Sequence, residues 1–561
     1  MADDDDDMYY FIGGYINVVF FVGLVVLLYA LLLQSKKKKI GQTKSYSTVC
    51  KNGCATTSAM EEKSDQPDII IVGAGVAGAA LAYALAKDGR QVRVIERDLK
   101  EPNRVVGEIL HPTGFMKLIE LGLQDCINDI EAQQLLGVVF NKYGKTTTMP
   151  YSLEKYGPHF SGTSFHNGRF VQRMREKAAI LSNVRLEQGT VVSLIEEKGV
   201  IKGVRYKTKN SQVIASTYAP LTIVCDGSSS NLRRTLCTPM VETPSEMFCL
   251  ILENCELPYP NYVNLFFRGS SPFLLYQISS TEIRLTVEVP RKNRSSITIA
   301  DYLKTAVAPE IPPTLYDAFM AAIDKGNIKA MPNKSMPGKP NHTPGAILIG
   351  DALNMRHPMI AAGMTVALHD VVLLRDVLRG VNDLHDKDAL SNLIKSFYAL
   401  RKPFAFTINL YAGAFCKIFD SATEASPKST GDLREALCQA CCGYLSLGGF
   451  VAQRIIATGS GLTPHPIMLL IHALGIAVYG LIHQVLLPFP SPKRLWFGAK
   501  LLWVGFGVLF PLVKVEGITV GMLFNLIVPA GLLKRMMFLS ICSIFIIVFF
   551  FEMIYISHRF K

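Results

Sequence analysis

Charge is thin along this 561-residue chain: Asp, Glu, Lys and Arg make up 19% of it, against 49% hydrophobic residues. That balance excludes a chain too polar to bury a core, and leaves room for two to three folded units plus membrane segments. No basic stripe interleaved with aromatics occurs; apart from Lys36–Lys39 the lysines and arginines are dispersed, although the net charge is +12. Nucleic acid is thereby excluded as a partner, and attraction to an anionic membrane face accounts better for the charge. The twelve cysteines show no paired zinc-type spacing. Their tightest cluster, Cys438 with Cys441 and Cys442, lacks a second pair or nearby histidines and reads as helix packing rather than a metal site. The others read as reduced, buried thiols in a cytosol-facing protein. There is no internal repeat, which excludes a solenoid.

Charge is missing altogether from Met8 to Ser35. At about 1.5 Å per residue this run is long enough to cross a hydrocarbon core of about 30 Å. Asp3 to Asp7 precede it and the four lysines follow, so the positive-inside rule places Lys36 onward in the cytoplasm. A cleaved signal peptide is the competing reading, disfavoured by the acidic leader, the long apolar core and the missing small-residue cleavage site. From Pro464 the chain is again apolar, in runs Ile467–Leu487, Leu501–Val513, Gly517–Leu533 and Met536–Phe551, and Phe545–Phe551 contains no polar residue. Only the first and last runs approach spanning length, so helices dipping into or lying on one leaflet are as good a reading as full crossings.

Between these ends stands a complete dinucleotide-binding unit. An apolar strand (Ile69 to Val72) leads into Gly73-Ala74-Gly75-Val76-Ala77-Gly78, a helix-patterned run to Lys87 follows, and a second strand, Val92 to Ile95, ends at Glu96, eighteen residues after the last glycine. Gly73 makes the turn, Gly75 lets the backbone approach a pyrophosphate, and Gly78 lets helix and strand pack closely. Free N–H groups at the helix start attract phosphate. Glu96 accepts from a ribose 2′-OH, which disfavours NADP here; an ordinary exposed carboxylate is the bland alternative. Two more strands end in acidic motifs: Leu221 to Val224 before Asp226-Gly227, and Ala346 to Ile349 before Gly350-Asp351-Ala352, followed by Asn354-Met355-Arg356-His357-Pro358 and Gly363-Met364. Asp-Gly alone is usually a turn. Strand-like Val184–Leu186, Gly189–Ile195 and Gly203–Tyr206 lie among helical segments, which predicts an α/β core carrying an inserted β-rich region.

With these three motifs in order, the chain resembles the group A flavoprotein monooxygenases. Val94-Ile95-Glu96-Arg97-Asp98-Leu99, Glu101-Pro102, Arg104-Val105-Val106-Gly107-Glu108 and the Gly350–Pro358 segment look like squalene epoxidase (squalene monooxygenase) of the plant type. The resemblance implies a Rossmann-like FAD-binding domain with an inserted β-rich substrate domain, followed by C-terminal membrane-associated helices. The expected organisation is a transmembrane anchor over 1–35, a polar linker over 36–67, interleaved FAD-binding and substrate domains over 68–400, a helical segment over 401–463 and apolar membrane-associated helices over 464–561. It further implies FAD, reduced by an NADPH-dependent diflavin reductase, reacting with O2 to a flavin hydroperoxide that epoxidises squalene to 2,3-oxidosqualene, at the endoplasmic reticulum membrane with the catalytic part facing the cytosol. Such chemistry needs a dry pocket.

Carried over by motif, Val76 and Ala77 meet the FAD pyrophosphate through backbone, Glu96 and Arg97 hold the adenosine, and Arg104 and Arg175 approach the phosphates and ribityl chain. Val191 meets the adenine side, Asp351 the ribityl chain, and Met364 lies by the isoalloxazine ring. No protein nucleophile or metal is implied, because the flavin carries the oxygen chemistry; His357 reads as structural or FAD-adjacent rather than as a general base. Asn293-Arg294-Ser295 and Asn341-His342-Thr343 match glycosylation acceptors that a cytosolic domain leaves unmodified. Three departures stand out. His111-Pro112-Thr113-Gly114 replaces Gln-Pro-Gly-Gly, Ala361-Ala362 replaces two glycines, and Gly137-Val138 stands where the family carries an important Tyr after Gly. A valine donates no hydrogen bond, and a Cβ where a glycine allowed φ > 0 is strained. Two readings therefore stay open: an epoxidase acting on squalene or a related polyprenoid, and a divergent FAD-binding paralogue with little or no epoxidase activity. A ring hydroxylase is a weaker third, since neither an aromatic-substrate arginine pattern nor a second nucleotide motif is evident.

Overall fold

The computed structural model describes residues 66–517 apart from 143, 152–160, 210–212, 268–270, 292–297, 420–427 and 487–490. The expected N-terminal anchor and the runs at Gly517–Leu533 (beyond its first residue) and Met536–Phe551 lie outside these residues.

The chain enters its first sheet at Ile69–Val72. Across this seven-stranded sheet the order is Ile214–Tyr218, Val200–Thr208, Val184–Glu197, Val92–Glu96, Ile69–Val72, Leu221–Val224 and Ala346–Leu348. The last five are parallel, and the first two extend the sheet as an antiparallel meander. Ile69–Val72 and Leu221–Val224 are buried at every position, as strands covered on both faces must be. The two segments read separately from sequence, Val184–Leu186 and Gly189–Ile195, form one strand, because hydrogen bonding to two neighbours carries it through Gln188.

Helix Val76–Lys87 is buried over nearly its whole circumference. Its alanines make that possible, letting it sit between the helices Asn167–Ala179 and Gly363–Arg379. After Leu221–Val224 the chain leaves this domain and returns at Ala346. The excursion builds most of a second, largely antiparallel seven-stranded sheet, completed by Gly137–Lys142 and Lys145–Pro150. One face of that sheet packs on the short helices between 299 and 324; the other packs on Lys387–Phe419, Lys428–Leu445 and Gly449–Gly459. The helix Lys387–Phe419 runs unbroken through residues 400 and 401.

The apolar C-terminal part is described as far as Pro466–Leu481, its continuation to Leu486, and Pro492–Val515. Here the structure differs from expectation. Among the described residues the helix long and apolar enough to cross a membrane is the 24-residue Pro492–Val515, not the Ile467–Leu487 run. Ser491 caps it by accepting from the Arg494 N–H, so the helix starts before the apolar run and gains two turns from Lys493 to Lys500.

Candidate functional site

In a parallel sheet, ligands bind beyond the carboxyl ends of the strands where the connections change direction. That point is the end of Ile69–Val72, and every acidic or glycine motif converges on it. Gly73 has φ +97°, and a Cβ there would lie 2.7 Å from the Cys225 carbonyl oxygen. At Gly78 a Cβ would meet Gly73 O at 1.9 Å, so helix and loop touch only because neither residue has a side chain. Gly75 differs: nothing lies within 4 Å of the Cβ it lacks. Glycine is thus required there by whatever enters that open space rather than by the protein's own packing. Gly75 is also the N-cap of a helix with no side-chain cap, leaving the N–H groups of Val76, Ala77 and Gly78 to a ligand. This cradle fits a pyrophosphate.

Glu96 closes the second strand. Its Oε2 accepts from the Ala74 N–H at 2.6 Å and its Oε1 from the Asp98 N–H at 3.1 Å. Each oxygen keeps a lone pair for a ribose hydroxyl. Arg97 is exposed beside it. Arg175 reaches the same loop. Its side chain is buried, Nε donates to Ala74 O at 2.7 Å, Nη1 to the Asp98 and Lys100 carbonyls, and Nη2 lies 3.7 Å from Glu96. Arg175 thus ties the glycine loop at Ala74 to the segment after the second strand, with no hydrogen bond from Nη2 among the described residues. Arg104 does face the site: it pairs with Asp351 at 3.6 Å, both partly exposed. Gly350 before it has φ +60° and a missing Cβ only 3.5 Å from Ala77, so the Gly-Asp motif abuts the helix start. Val191 lies three residues past Gln188, which pairs with Glu96. Met364 is buried in the first turn of Gly363–Arg379, its Sδ 3.9 Å from the Cβ position of Gly107.

Sequence reasoning counted the middle motif among the three fingerprints but assigned no role to Asp226 or Arg233. Asp226 is half-buried with its Oδ1 shielded from solvent and unbonded, and burial raises its carboxyl above the usual value against the pull of Ser230, Arg233 and Arg97. Arg233 donates to Gly227 O at 2.6 Å while its Nε has no partner. Two orphaned polar atoms at the mouth of the cradle are what a polar cofactor would satisfy. The only signal in the sequence was an apolar strand running into Asp-Gly.

The second half of the site is apolar. Phe140, Phe267, Phe415 and Phe419 form one ring cluster with centroid separations of 4.6–6.5 Å. They belong to a buried body that includes Ile109, Tyr151, Leu274 and Met359, with Val138 and Ala361 packed against it. That body fills the space between the second sheet and the C-terminal helices, and through Met359 and Ala361 it reaches the segment that continues to Met364. His357, in the same segment, lies 3.0 Å from Glu288 in a buried cluster with Ser245 and Asn333. It is engaged by neighbours on the second sheet.

A profile of squalene epoxidases matches residues 218–496, and one of FAD-dependent oxidoreductases matches 68–113. Among curated proteins, squalene monooxygenase SE2 of Panax ginseng is 54% identical over 493 residues, covering 87% of this chain and 88% of its own. Squalene epoxidase 3 of Arabidopsis thaliana is 55% identical over 466 residues, 82% of this chain and 87% of that one. Among solved structures, PqsL of Pseudomonas aeruginosa, described as a probable FAD-dependent monooxygenase, has a TM-score of 0.52 at 20% identity over 64% of this chain and 97% of its own. The myxobacterial FAD-dependent halogenase CndH has a TM-score of 0.54 at 18% identity over 76% and 99%. At that identity the structural matches speak to the fold.

Proposed function

The chain belongs to the squalene epoxidase family, and from that premise we propose that it inserts one oxygen atom of O2 into a terminal double bond of squalene, giving 2,3-oxidosqualene. The second oxygen leaves as water, with two protons and two electrons that an NADPH-dependent diflavin reductase delivers. Bound FAD supplies the activation of O2. The protein's own residues do the rest. The uncapped helix N-terminus at Gly75 receives the pyrophosphate, Glu96 and Arg97 the adenosine, Val191 the adenine edge, and Asp351 with Arg104 the ribityl chain.

One observation carries the substrate reading: the aromatic and aliphatic body between the second sheet and the C-terminal helices reaches, through Met359 and Ala361, the turn that precedes Met364. A hydrocarbon offers no group for hydrogen bonding, so it is recognised by apolar contact, and the same surroundings keep water from the oxygen chemistry. Membrane attachment is part of the proposal. Helix Pro492–Val515 packs Phe497, Leu501, Val504 and Val508 on the body of the protein, while Trp496, Trp503, Phe506 and Phe510 stand exposed on its other side, Trp503 at 76%. Such a stripe, with Lys493, Arg494 and Lys500 at one end, suits a helix lying in the interface of the endoplasmic reticulum membrane, the site facing the cytosol.

The test is conversion of squalene by detergent-solubilised protein supplied with FAD, NADPH and reductase. Epoxide from the wild type is expected. FAD binding without epoxide from either the wild type or Val138→Tyr would instead support the divergent paralogue.

A further inference from the structure

His111 and Ala361, two of the departures from the family pattern, are linked in the structure through the Ile360 carbonyl. The imidazole is 4% exposed; Nε2 lies 2.7 Å from the Ile360 carbonyl oxygen and Nδ1 2.9 Å from the Tyr151 hydroxyl. A carbonyl can only accept, so Nε2 carries the proton. Burial lowers the pKa of His111 against the opposing effect of Ile360, which keeps the ring neutral. Nδ1 then accepts, and the Tyr151 O–H donates to it. Tyr151 itself is buried, with its ring set edge-on to the imidazole at 84°.

What the imidazole holds is unusual. Ala361 follows Ile360 with φ +51°, and among the described non-glycine residues at positive φ it is the one apolar side chain. A left-handed alanine persists only where its surroundings over-determine it. Two residues on, the helix Gly363–Arg379 begins, with Met364 in its first turn. A hydrogen bond to Ile360 O therefore sets the entry of the segment that carries Met364.

Tyr151 is also placed to stand in for position 138. Val138 pairs with Met149, and the Tyr151 N–H bonds Leu136 O, so residues 138, 149 and 151 share one face of the second sheet, all against the apolar body with Phe140. Residues two apart on neighbouring strands lie about 7–8 Å apart diagonally, within reach of an aromatic side chain. The close approach of these strands depends on Gly137, whose Cβ would lie 2.3 Å from Met149 O.

We propose that Tyr151 is a positioning residue for the oxygen-transfer site: through His111 its hydroxyl holds the Ile360 carbonyl and fixes the left-handed turn at Ala361, so that a valine at 138 leaves that face of the sheet with its hydroxyl. The role rests on the monooxygenase reading of the site. It acts at one remove, since neither ring is assigned contact with the reacting atoms.

The experiment compares Tyr151→Phe, His111→Phe, His111→Gln, the double variant Tyr151→Phe/His111→Phe, and Tyr151→Phe/Val138→Tyr, each as FAD-loaded full-length protein. The readouts are the absorption and fluorescence of bound flavin, peroxide released per NADPH consumed, and kcat and KM for squalene. For Tyr151→Phe we expect FAD retained, a kcat lower by about tenfold with KM nearly unchanged, the scale set by one hydrogen bond, and more peroxide per NADPH. His111→Gln, whose amide can still donate to Ile360 O, should recover most of what His111→Phe loses. The double variant should be no worse than His111→Phe alone, and Val138→Tyr should restore part of the coupling lost in Tyr151→Phe. Unchanged flavin spectrum and coupling in Tyr151→Phe, or losses that add in the double variant, would overturn the proposal. Should the wild type form no epoxide, the epoxidase reading fails, and the flavin spectra still decide whether Tyr151 and His111 act as one unit.

Discussion

The sharpest energetic test lies where the FAD-binding part meets the second sheet. Glu108 is fully buried, and Arg284 grips it with two parallel hydrogen bonds, Nε to Oε2 at 2.9 Å and Nη2 to Oε1 at 2.8 Å. The Tyr276 hydroxyl adds a third at 3.0 Å. Tyr276 and Arg284 are paired across adjacent strands, so one cross-strand pair clasps one carboxylate from the other domain. Immediately before Glu108 comes Gly107, with φ +83°, its carbonyl bonded by Asn167 at 2.7 Å and its α-carbon beside Met364.

Arg284→Met takes away two of the three donors and leaves a buried carboxylate with a single hydroxyl. Breaking a buried pair from one side costs about 3–5 kcal/mol, because the remaining charge is uncompensated. Glu108→Leu strands the guanidinium and should cost a similar amount. Making both changes together removes both charges; what remains is an unpaired Tyr276 hydroxyl, worth about 1–3 kcal/mol. The double variant should therefore be more stable than either single, with a coupling free energy of about 3 kcal/mol or more between the two positions. Urea unfolding of the four proteins in one detergent, followed by fluorescence, measures this cycle. FAD affinity should fall in both singles, since Gly107 is displaced with Glu108. If the two losses simply add, the pair does not act as a buried clasp and the reasoning is wrong.

The glycine loop offers a contrast between neighbours: Gly78→Ala drives a Cβ into Gly73 O and should lose both fold stability and FAD, whereas Gly75→Ala, with open space around it, should leave apo-protein melting unchanged and weaken FAD binding alone. Equal effects on apo-protein melting would contradict the assignment of the Gly75 space to a ligand. Ala361→Gly should raise stability slightly, because relieving a left-handed alanine returns about 1–2 kcal/mol while the added chain freedom costs about 0.5–1 kcal/mol; a lower melting temperature would show that Ala361 makes contacts outweighing its strain. His357 and Glu288 give a pH signature. Burial opposes charge on both, yet their neighbours outweigh it, Cys416 and Glu288 holding His357 well above 6.5 and His357 holding Glu288 below 4.5. The contribution of His357 is full below 6.5 and is lost as pH rises through its raised value; that of Glu288 is full above 4.5 and is lost as pH falls through its lowered value. The destabilisation caused by His357→Phe should therefore be greatest between these limits and shrink toward alkaline pH in melting curves.

The nucleotide half of the site was legible in the sequence because its chemistry is local. A strand, three glycines, a helix and an acid form one continuous stretch, and each glycine is dictated by a backbone atom or an open space within that unit. The same locality made Gly350 and Asp351 readable, since a strand must end where a loop bends back onto the helix start. The contacts of Arg175 were not legible in the same way. It sits 101 residues from Ala74, and nothing in its own helix reveals that its Nε donates to the Ala74 carbonyl of the glycine loop.

The apolar half is the reverse case: every part of it is assembled from distant segments, and periodicity names buried faces without naming partners. Position 138 shows the consequence. Read along the chain, a valine where relatives of the family carry tyrosine is a missing donor. In the fold, the strand Lys145–Pro150 pairs with Gly137–Lys142 and continues to Tyr151, bringing another hydroxyl to the same face, and His111 arrives from a third element to receive it. Whether a substitution silences a site depends on what the neighbouring strand presents there, and strand register is the one thing the linear pattern leaves open. The three departures, at His111, Val138 and Ala361, are therefore best judged together: two are linked through Ile360 O, and the third lies on the sheet face that supplies the hydroxyl.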